Sequence, residues 1–413
     1  MRKTLKRASR VSRPGILNAL IMIPFSSIAA GNYYDARNDA MGGTGVASSN
    51  FGSAALANPA LLTKAQPDDD ISVIIPSVGI QVTDKDKLVS KVDDISRAVD
   101  GYRELADNFS FADYPKLQAA SGDLAKRLDD VRGNKSSGSA SIAVVVAVPN
   151  KVLPFAFVTK AYGSLHLATD VSQSDIDYLQ GIADGTLIPL PGDQDRLTSA
   201  GLGRGAVVSD TGIAVAHRFT VAGHPVSLGV TPKLQKTWLY NYSVSVYDYD
   251  KSDFTDSRYK NTHTGFNLDT GLATDISDNW TFALSALNLI PRNIDTKEIA
   301  GYRDTWQIRP LVTSALAWNS EKLTTSLDVD LTPTKRFKTQ DDSQYAGVGA
   351  EYRLLDWLQL RAGYRADIKA NDVNVATAGF GLSPFNHSTH LDLAGSVGDD
   401  HTWGAMAPLG FSF

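Results

Sequence analysis

The sequence predicts an all-β fold: a closed antiparallel transmembrane β-barrel of about fourteen strands, with a separate N-terminal segment and helices in its first long loop. Three observations predict it. Apolar residues recur with period two rather than 3.6 along most of the chain. The connections between these runs alternate long and short through the first ten, the later ones at 383–388 and 399–402 fitting less cleanly. The last run, Leu409, Phe411 and Phe413, alternates with Gly410 and Ser412, so the sequence stops inside a strand.

The first thirty residues precede this pattern. Arg2, Lys3, Lys6, Arg7, Arg10 and Arg13 come without an acid, an apolar run follows from Ile16 to Phe25, and Ala29 and Ala30 close it. That is the order of a secretory signal peptide, expected over residues 1–30. Its apolar part is shorter than the ~20 residues that a membrane helix needs. There is no cysteine, hence no lipid anchor on a thiol and no disulfide. Charged residues make up 21% of the chain, and no later segment reads as a membrane helix. A barrel is compatible with this, because each strand shows lipid only every second side chain. A net charge of −5 points away from nucleic acid as a partner.

The barrel is expected over residues 71–413. After a first strand near 71–82 comes an insert at 85–132, where Leu88, Val92, Ile95, Val99 and Tyr102, then Leu117, Leu124, Leu128 and Val131, recur at three and four. These predict two amphipathic helices capping the barrel from its first extracellular loop. Clear strands follow at Ile142 to Val148, Val226 to Val230, Phe266 to Leu272, Trp280 to Ala286, Leu323 to Leu331, Val348 to Leu354 and Leu358 to Tyr364. Weaker runs lie near 153–170, 206–220, 308–319, 373–384 and 387–397.

Loop lengths orient the chain. The connections at 171–205, 247–261, 291–307 and 332–344 are long, and those at 149–154, 222–225, 275–279, 319–322 and 355–357 are short. Long loops face the exterior and short turns the periplasm in outer-membrane barrels. Trp280, Trp318 and Trp357 lie beside short turns, and Trp238, Trp306 and Trp403 towards long loops, so all six are expected in two interfacial girdles. Where Leu327, Val329 and Leu331 face lipid, Asp328 and Asp330 face inward, as do Glu351 and Arg353, then Arg361 and Arg365. A basic side chain in mid-bilayer costs about 2–4 kcal/mol, so these charges belong in the lumen. There they form either a stiffening ladder in the wall or a polar permeation path.

Between leader and barrel, residues 31–70 contain Asp35-Ala-Arg-Asn-Asp-Ala-Met-Gly-Gly-Thr-Gly-Val-Ala47 and Ala57-Asn-Pro-Ala-Leu-Leu62. This segment resembles the N-terminal hatch of the FadL-like fatty-acid channels, and within that superfamily it is most similar to the conjugal-transfer TraF-type proteins. The resemblance implies a hatch whose gating residues are Gly42, Gly43, Gly45, Asn58, Pro59 and Ala60. Gly42, Gly43 and Gly45 permit tight turns, and Pro59 keeps Asn58 out of the helical region. Inward Ser141, Ala143, Val145 and Ala147 are small enough to leave it room. A terminal Phe likewise resembles the closing strand of such barrels, read by the barrel assembly machinery, which makes Leu409, Phe411 and Phe413 the barrel-closing strand.

No enzyme is expected. Gly42-Gly-Thr-Gly45 lacks the Lys-Ser or Lys-Thr of a phosphate loop. Gly201-Leu-Gly-Arg-Gly205 reads as a flexible loop, His387 and His390 lack a third metal ligand, and the acids at 68–70 do not alternate as a calcium loop requires. No catalytic, cofactor or metal site is expected. The implied function is non-enzymatic assistance of conjugal transfer or envelope transport by a monomer in the outer membrane. Its partners would be membrane lipids, the assembly machinery, and a hydrophobic small molecule or envelope proteins. A passive channel for small hydrophobic molecules and a soluble periplasmic β-protein are the alternatives. The charged lumen speaks against long fatty acids, because such a ligand wants a mostly apolar pocket.

Overall fold

The computed structural model describes residues 35–66, 70–84, 86–189, 197–247, 251–383 and 389–412. The expected leader, residues 31–34, Asp68 and Asp69, the turn at 384–388 with His387, and Phe413 lie outside the described residues.

Every run of period-two alternation forms a strand. These are β1 (Ser72–Thr83), β2 (Lys135–Val148), β3 (Phe155–Asp170), β4 (Ala200–Val221), β5 (His224–Ser245), β6 (Lys260–Asp275) and β7 (Trp280–Leu287). A small separate hairpin follows, β8 (Arg292–Asp295) and β9 (Thr305–Ile308). Then come β10 (Leu311–Asn319), β11 (Leu323–Asp330), β12 (Tyr345–Leu355), β13 (Leu358–Asp367), β14 (Val375–Leu382), β15 (Thr389–Gly398), β16 (Thr402–Ala407) and β17 (Leu409–Ser412).

Apart from the hairpin, each strand pairs antiparallel with its chain neighbours. The last two are halves of one stave interrupted at Pro408, so the barrel has fourteen staves. β1 pairs with both halves, Val78 opposite Ala407 and Val73 opposite Phe411, which closes the ring as the sequence predicts. Closure satisfies every edge strand, the condition for placing a sheet in lipid. β1 also carries Pro76, where its register with β2 shifts between Ile74 and Ser77. A bulge tolerates a residue without an N–H.

Alternation sorts the two faces. Ile142, Phe157, Ile213, Leu228, Phe266, Leu327, Val348 and Tyr364 are exposed on the outside. Ala143, Val145, Ala147, Ala156, Ala214, Ala273, Ala283, Ala315 and Ala317 are buried on the inside, small side chains that leave space in the lumen. Trp280 and Trp318 stand opposite each other on β7 and β10, and Trp280 and Trp357 are exposed beside the short turns. Trp306 departs from the expected girdle. It is 2% exposed, inside the barrel, because β8 and β9 fold inward instead of standing at the lipid boundary.

The long connections gather at one end. The first holds α3 (Leu88–Asp107) and α4 (Tyr114–Asp129), the two amphipathic helices expected. The β3–β4 connection, expected as a long loop over 171–205, contains a third helix, α5 (Gln173–Ala183). The three share a core of Ile95, Val99, Leu117, Leu124, Leu128, Ile176 and Leu179 with Tyr247 from beyond β5. The Gly201 to Gly205 segment is also not a loop: it is the start of β4, with Gly203 and Gly205 beneath the ring of Phe254. Two strands of 22 residues therefore carry the wall beyond the height of a bilayer, which ~10 residues cross.

Candidate functional site

Residues 35–66 fill the half of the lumen nearest the short turns. Asp35 caps α1 (Ala36–Ala40), its carboxylate accepting from Arg37 N at 3.4 Å. The chain then reverses through Gly42 and Gly43, with φ of +71° and +80°. α2 (Ala54–Ala57) leads into a 3₁₀ turn at Pro59–Lys64, with Asn58 ending one and capping the other. Phe51, Leu56, Leu61 and Leu62 pack on the ring of wall alanines.

Two sets of glycines in the wall receive this plug. Gly347, Gly349 and Gly363 on β12 and β13 face Met41 and Gly42, backbone against backbone, and a Cβ on any of them would collide with that chain. The converse holds for Gly42, where a Cβ would lie 2.7 Å from Tyr364 N and from the Val348 carbonyl oxygen. Across the barrel, Gly229 and Gly271 face Pro59, Ala60 and the Asn58 carboxamide. Asn58 is fully buried and binds in both directions. Its Nδ2 donates to Val46 O at 2.9 Å and to Leu272 O in the wall at 3.2 Å, and its Oδ1 accepts from Ala60 N at 3.0 Å.

The lumen charges meet the plug. Glu351 takes Arg37 in a forked pair, Nε to Oε2 at 2.9 Å and Nη2 to Oε1 at 3.0 Å. It also takes Arg361 Nε at 2.7 Å, and Arg361 reaches Asp392. Arg365 donates to Asp39 at 2.8 Å and to Gln81. Asp328 Oδ2 accepts from the Gly45 and Val46 amides, both at 2.9 Å. Asp330 stays in the wall, accepting from Thr313 Oγ1 at 2.8 Å and Tyr345 N at 3.1 Å. Arg353 is exposed at the short-turn rim, away from the others. Part of the set is thus a wall ladder, Glu351 opposite Arg361 in register, while Asp328, Glu351 and Arg365 form a clamp on residues 37–46. Of the closing strand, Leu409 and Phe411 pair with Leu391 and Thr389.

Several residues of the site carry no signal of their own in the sequence. Arg37 and Asp39 lie inside the recognised motif, yet period and spacing do not show that they match Glu351 and Arg365 more than three hundred positions away. A second polar layer carries no such signal either. Lys233 Nζ lies 2.8 Å from Asp210, 2.8 Å from Asp269 and 2.8 Å from Asn288 Oδ1, with Lys160 4.0 Å from Asp269. Beyond it, Trp306 and Phe337 meet edge to face at 5.0 Å, and Arg204 pairs with Asp304 at 3.0 Å. From one end to the other the lumen holds plug, charged layer and infolded loops. A cavity of about 90 Å³ remains between plug and wall, lined by Asp35, Asn38, Leu56, Thr313, Asp328 and Asp330 among others. Among the described residues no group of His, Cys, Asp and Glu is arranged to hold a metal ion.

This architecture has relatives. The family model for the F plasmid transfer operon TraF protein matches residues 55–330, from α2 of the plug to the end of β11. The chain belongs to the TraF family. Its fold is that of the FadL-like barrels. The toluene transporter TodX of Pseudomonas putida superposes with a TM-score of 0.51 at 13% identity, covering 94% of this chain and 99% of that one. A FadL homologue of Pseudomonas aeruginosa gives 0.52 at 12% identity, covering 95% and 99%. No curated protein matches the chain in sequence. At these identities the likeness fixes the architecture of this TraF-family chain, an outer-membrane-type barrel, and leaves cargo to the lumen's own chemistry.

Proposed function

We propose that this chain is a non-enzymatic barrel of the outer membrane, closed at rest, that serves the envelope machinery of plasmid transfer. The long-loop end would face outward and present α3, α4 and α5 to partner proteins. The observation that carries this reading is the occluded lumen: a plug clamped by Glu351, Arg365 and Asp328, followed by a buried charged layer. A channel for small hydrophobic molecules, as the name toluene transporter describes TodX, is the second reading. The cavity counts against it. An apolar void of about 150 Å³ takes up benzene, whereas this one is near 90 Å³ and lined by three carboxylates.

Planar-bilayer conductance and transfer frequency test the proposal together. The purified barrel should show no steady conductance and liposomes carrying it no toluene uptake, while donor cells lacking it should transfer plasmid less well. A constitutively open pore, or toluene uptake through the intact protein, would overturn the closed state. Unchanged transfer from donors lacking the chain would overturn the assignment to plasmid transfer.

A further inference from the structure

The outer wall of β5 and β6 ends abruptly in a polar cluster. Outward positions of β5 read Val226, Leu228, Val230, Pro232 and Leu234, then Lys236, Trp238 and Tyr240. The apolar part, Val226 to Leu234, covers nine residues, and its eight steps give about 27 Å along the strand. At a barrel tilt near 40° that is about 20 Å of height, close to the apolar band of such barrels. Lys236 therefore stands where acyl chains give way to headgroups, with exposed Leu234 and Phe266 directly beneath it.

Two cations converge there. Lys236 Nζ lies 5.0 Å from the centre of the Trp238 ring, and Lys260 Nζ, from the neighbouring strand, 5.8 Å from that of Tyr240. The two rings are one strand repeat apart, roughly 7 Å, a gap that flexible lysines can close around one phosphate. Ser209 and Thr264 flank Lys236 in register on either side, and Thr262 stands opposite Trp238. No outward position of β5 from Val226 to Tyr242, or of β6 from Lys260 to Thr274, is acidic. A ledge overhangs the cluster on the side away from the apolar band: Phe254 stacks on Tyr240 at 6.0 Å and covers Gly203 and Gly205. In that ledge Arg258 already has Asp253 and Asp256 as partners, which distinguishes it from the two lysines on the wall.

We infer that Lys236 and Lys260, with the hydroxyls of Ser209, Thr262 and Thr264, bind the phosphate of an anionic lipid in the leaflet at the long-loop end. The acyl chains lie along Leu234, Phe266 and the apolar column of β5. The inference rests on the outer-membrane reading above. Lysines at an interface attract any anionic surface weakly, worth about 1 kcal/mol each. A site differs by taking one lipid at a time and by needing its phosphate.

The test is native mass spectrometry of the full chain in detergent, titrated with bis-phosphorylated lipid A and with the same lipid stripped of phosphate. One phosphorylated lipid should bind per barrel, the stripped lipid should not, and K236Q and K260Q should each weaken binding about fivefold. K322Q, at the short-turn end, should leave binding unchanged. A band shift between unboiled and boiled samples verifies that each variant is folded. Equal binding of both lipids, or wild-type affinity in the folded double variant, overturns the site. Fractionation of cells tests the membrane assignment separately: a chain found in the outer membrane that ignores phosphate sinks the lipid site alone.

Discussion

Asn58 shows how one side chain sets the plug. Its carboxamide satisfies a carbonyl of the plug, a carbonyl of the wall and an amide of its own turn, and it lies in full burial. Asn58→Ala leaves these groups without partners, a loss of about 1–3 kcal/mol. Amide exchange of residues 54–62 in the intact barrel should then quicken about 5- to 150-fold, and unchanged exchange would show that the carboxamide does not hold the plug. Asp35 works in the opposite sense. Burial, reinforced by Asp392 and opposed by Arg37 and Arg361, holds its carboxyl up at about 6, against an ordinary 3.8. A raised acid binds its proton more tightly when docked than when free. Its stabilising contribution is complete below 3.8 and is lost as pH rises through 6. Plug protection, corrected for intrinsic exchange rates, should therefore be higher near about pH 5 than near about pH 7.5. Asp35→Asn should flatten that difference while keeping the cap to Arg37 N, and protection that falls on mild acidification would contradict the assignment.

Among elements, the contact between α1 and β12–β15 decides whether the lumen is closed. Arg37 and Glu351 are both largely buried, with side chains 9% and 16% exposed; removing Glu351 leaves Arg37 without its carboxylate, whereas removing Arg37 leaves Glu351 with Arg361 alone. Breaking such a pair costs roughly 3–5 kcal/mol, much of it the uncompensated charge. In a double-mutant cycle Arg37→Met and Glu351→Gln should each loosen the plug, and the double variant should be less damaged than the sum of the two. Strict additivity would mean that the pair does not act as a unit. The elements also show where reading by period stops. Fourteen strands and two helices were legible, because alternation and a 3.6 repeat are local properties of Ile142 to Val148 or Leu88 to Tyr102. α5 was not, because its apolar face is short and lies between a strand end and a stretch rich in Gly and Pro. Gly201 to Gly205 has the look of a loop in sequence for a related reason: Gly203 and Gly205 make room for Phe254, a contact with a loop about fifty residues away.

In the whole molecule, ladder and cap are separate sources of stability. The barrel closes through β1 against β16 and β17, while the helices hold together through a core of their own. Replacing 86–131 and 173–183 together with short Gly and Ser turns should leave a barrel that still shifts on boiling. Loss of that shift would mean that closure depends on the cap. Removing only the first helical pair would strand Ile176, Leu179 and Ile182 in water, and is expected to cause aggregation instead.

The amino-acid order by itself determined that the chain is a barrel, how many staves it has, which residues face lipid and which end carries the long loops. Period-two alternation and turn length are written in neighbouring residues, and lipid excludes charge from one face of every strand. Only the tertiary structure decided what the other face does. Arg37 finds Glu351, Gly45 finds Asp328 and Asn58 finds Gly271 of β6 because the closed wall brings them within reach. Trp306 turns inward for the same reason, since a lumen lined with alanines has volume that infolded loops can fill. Contacts across hundreds of residues leave no periodic trace. The sequence marks the inward side chains as charged or small, and the closed barrel selects their partners.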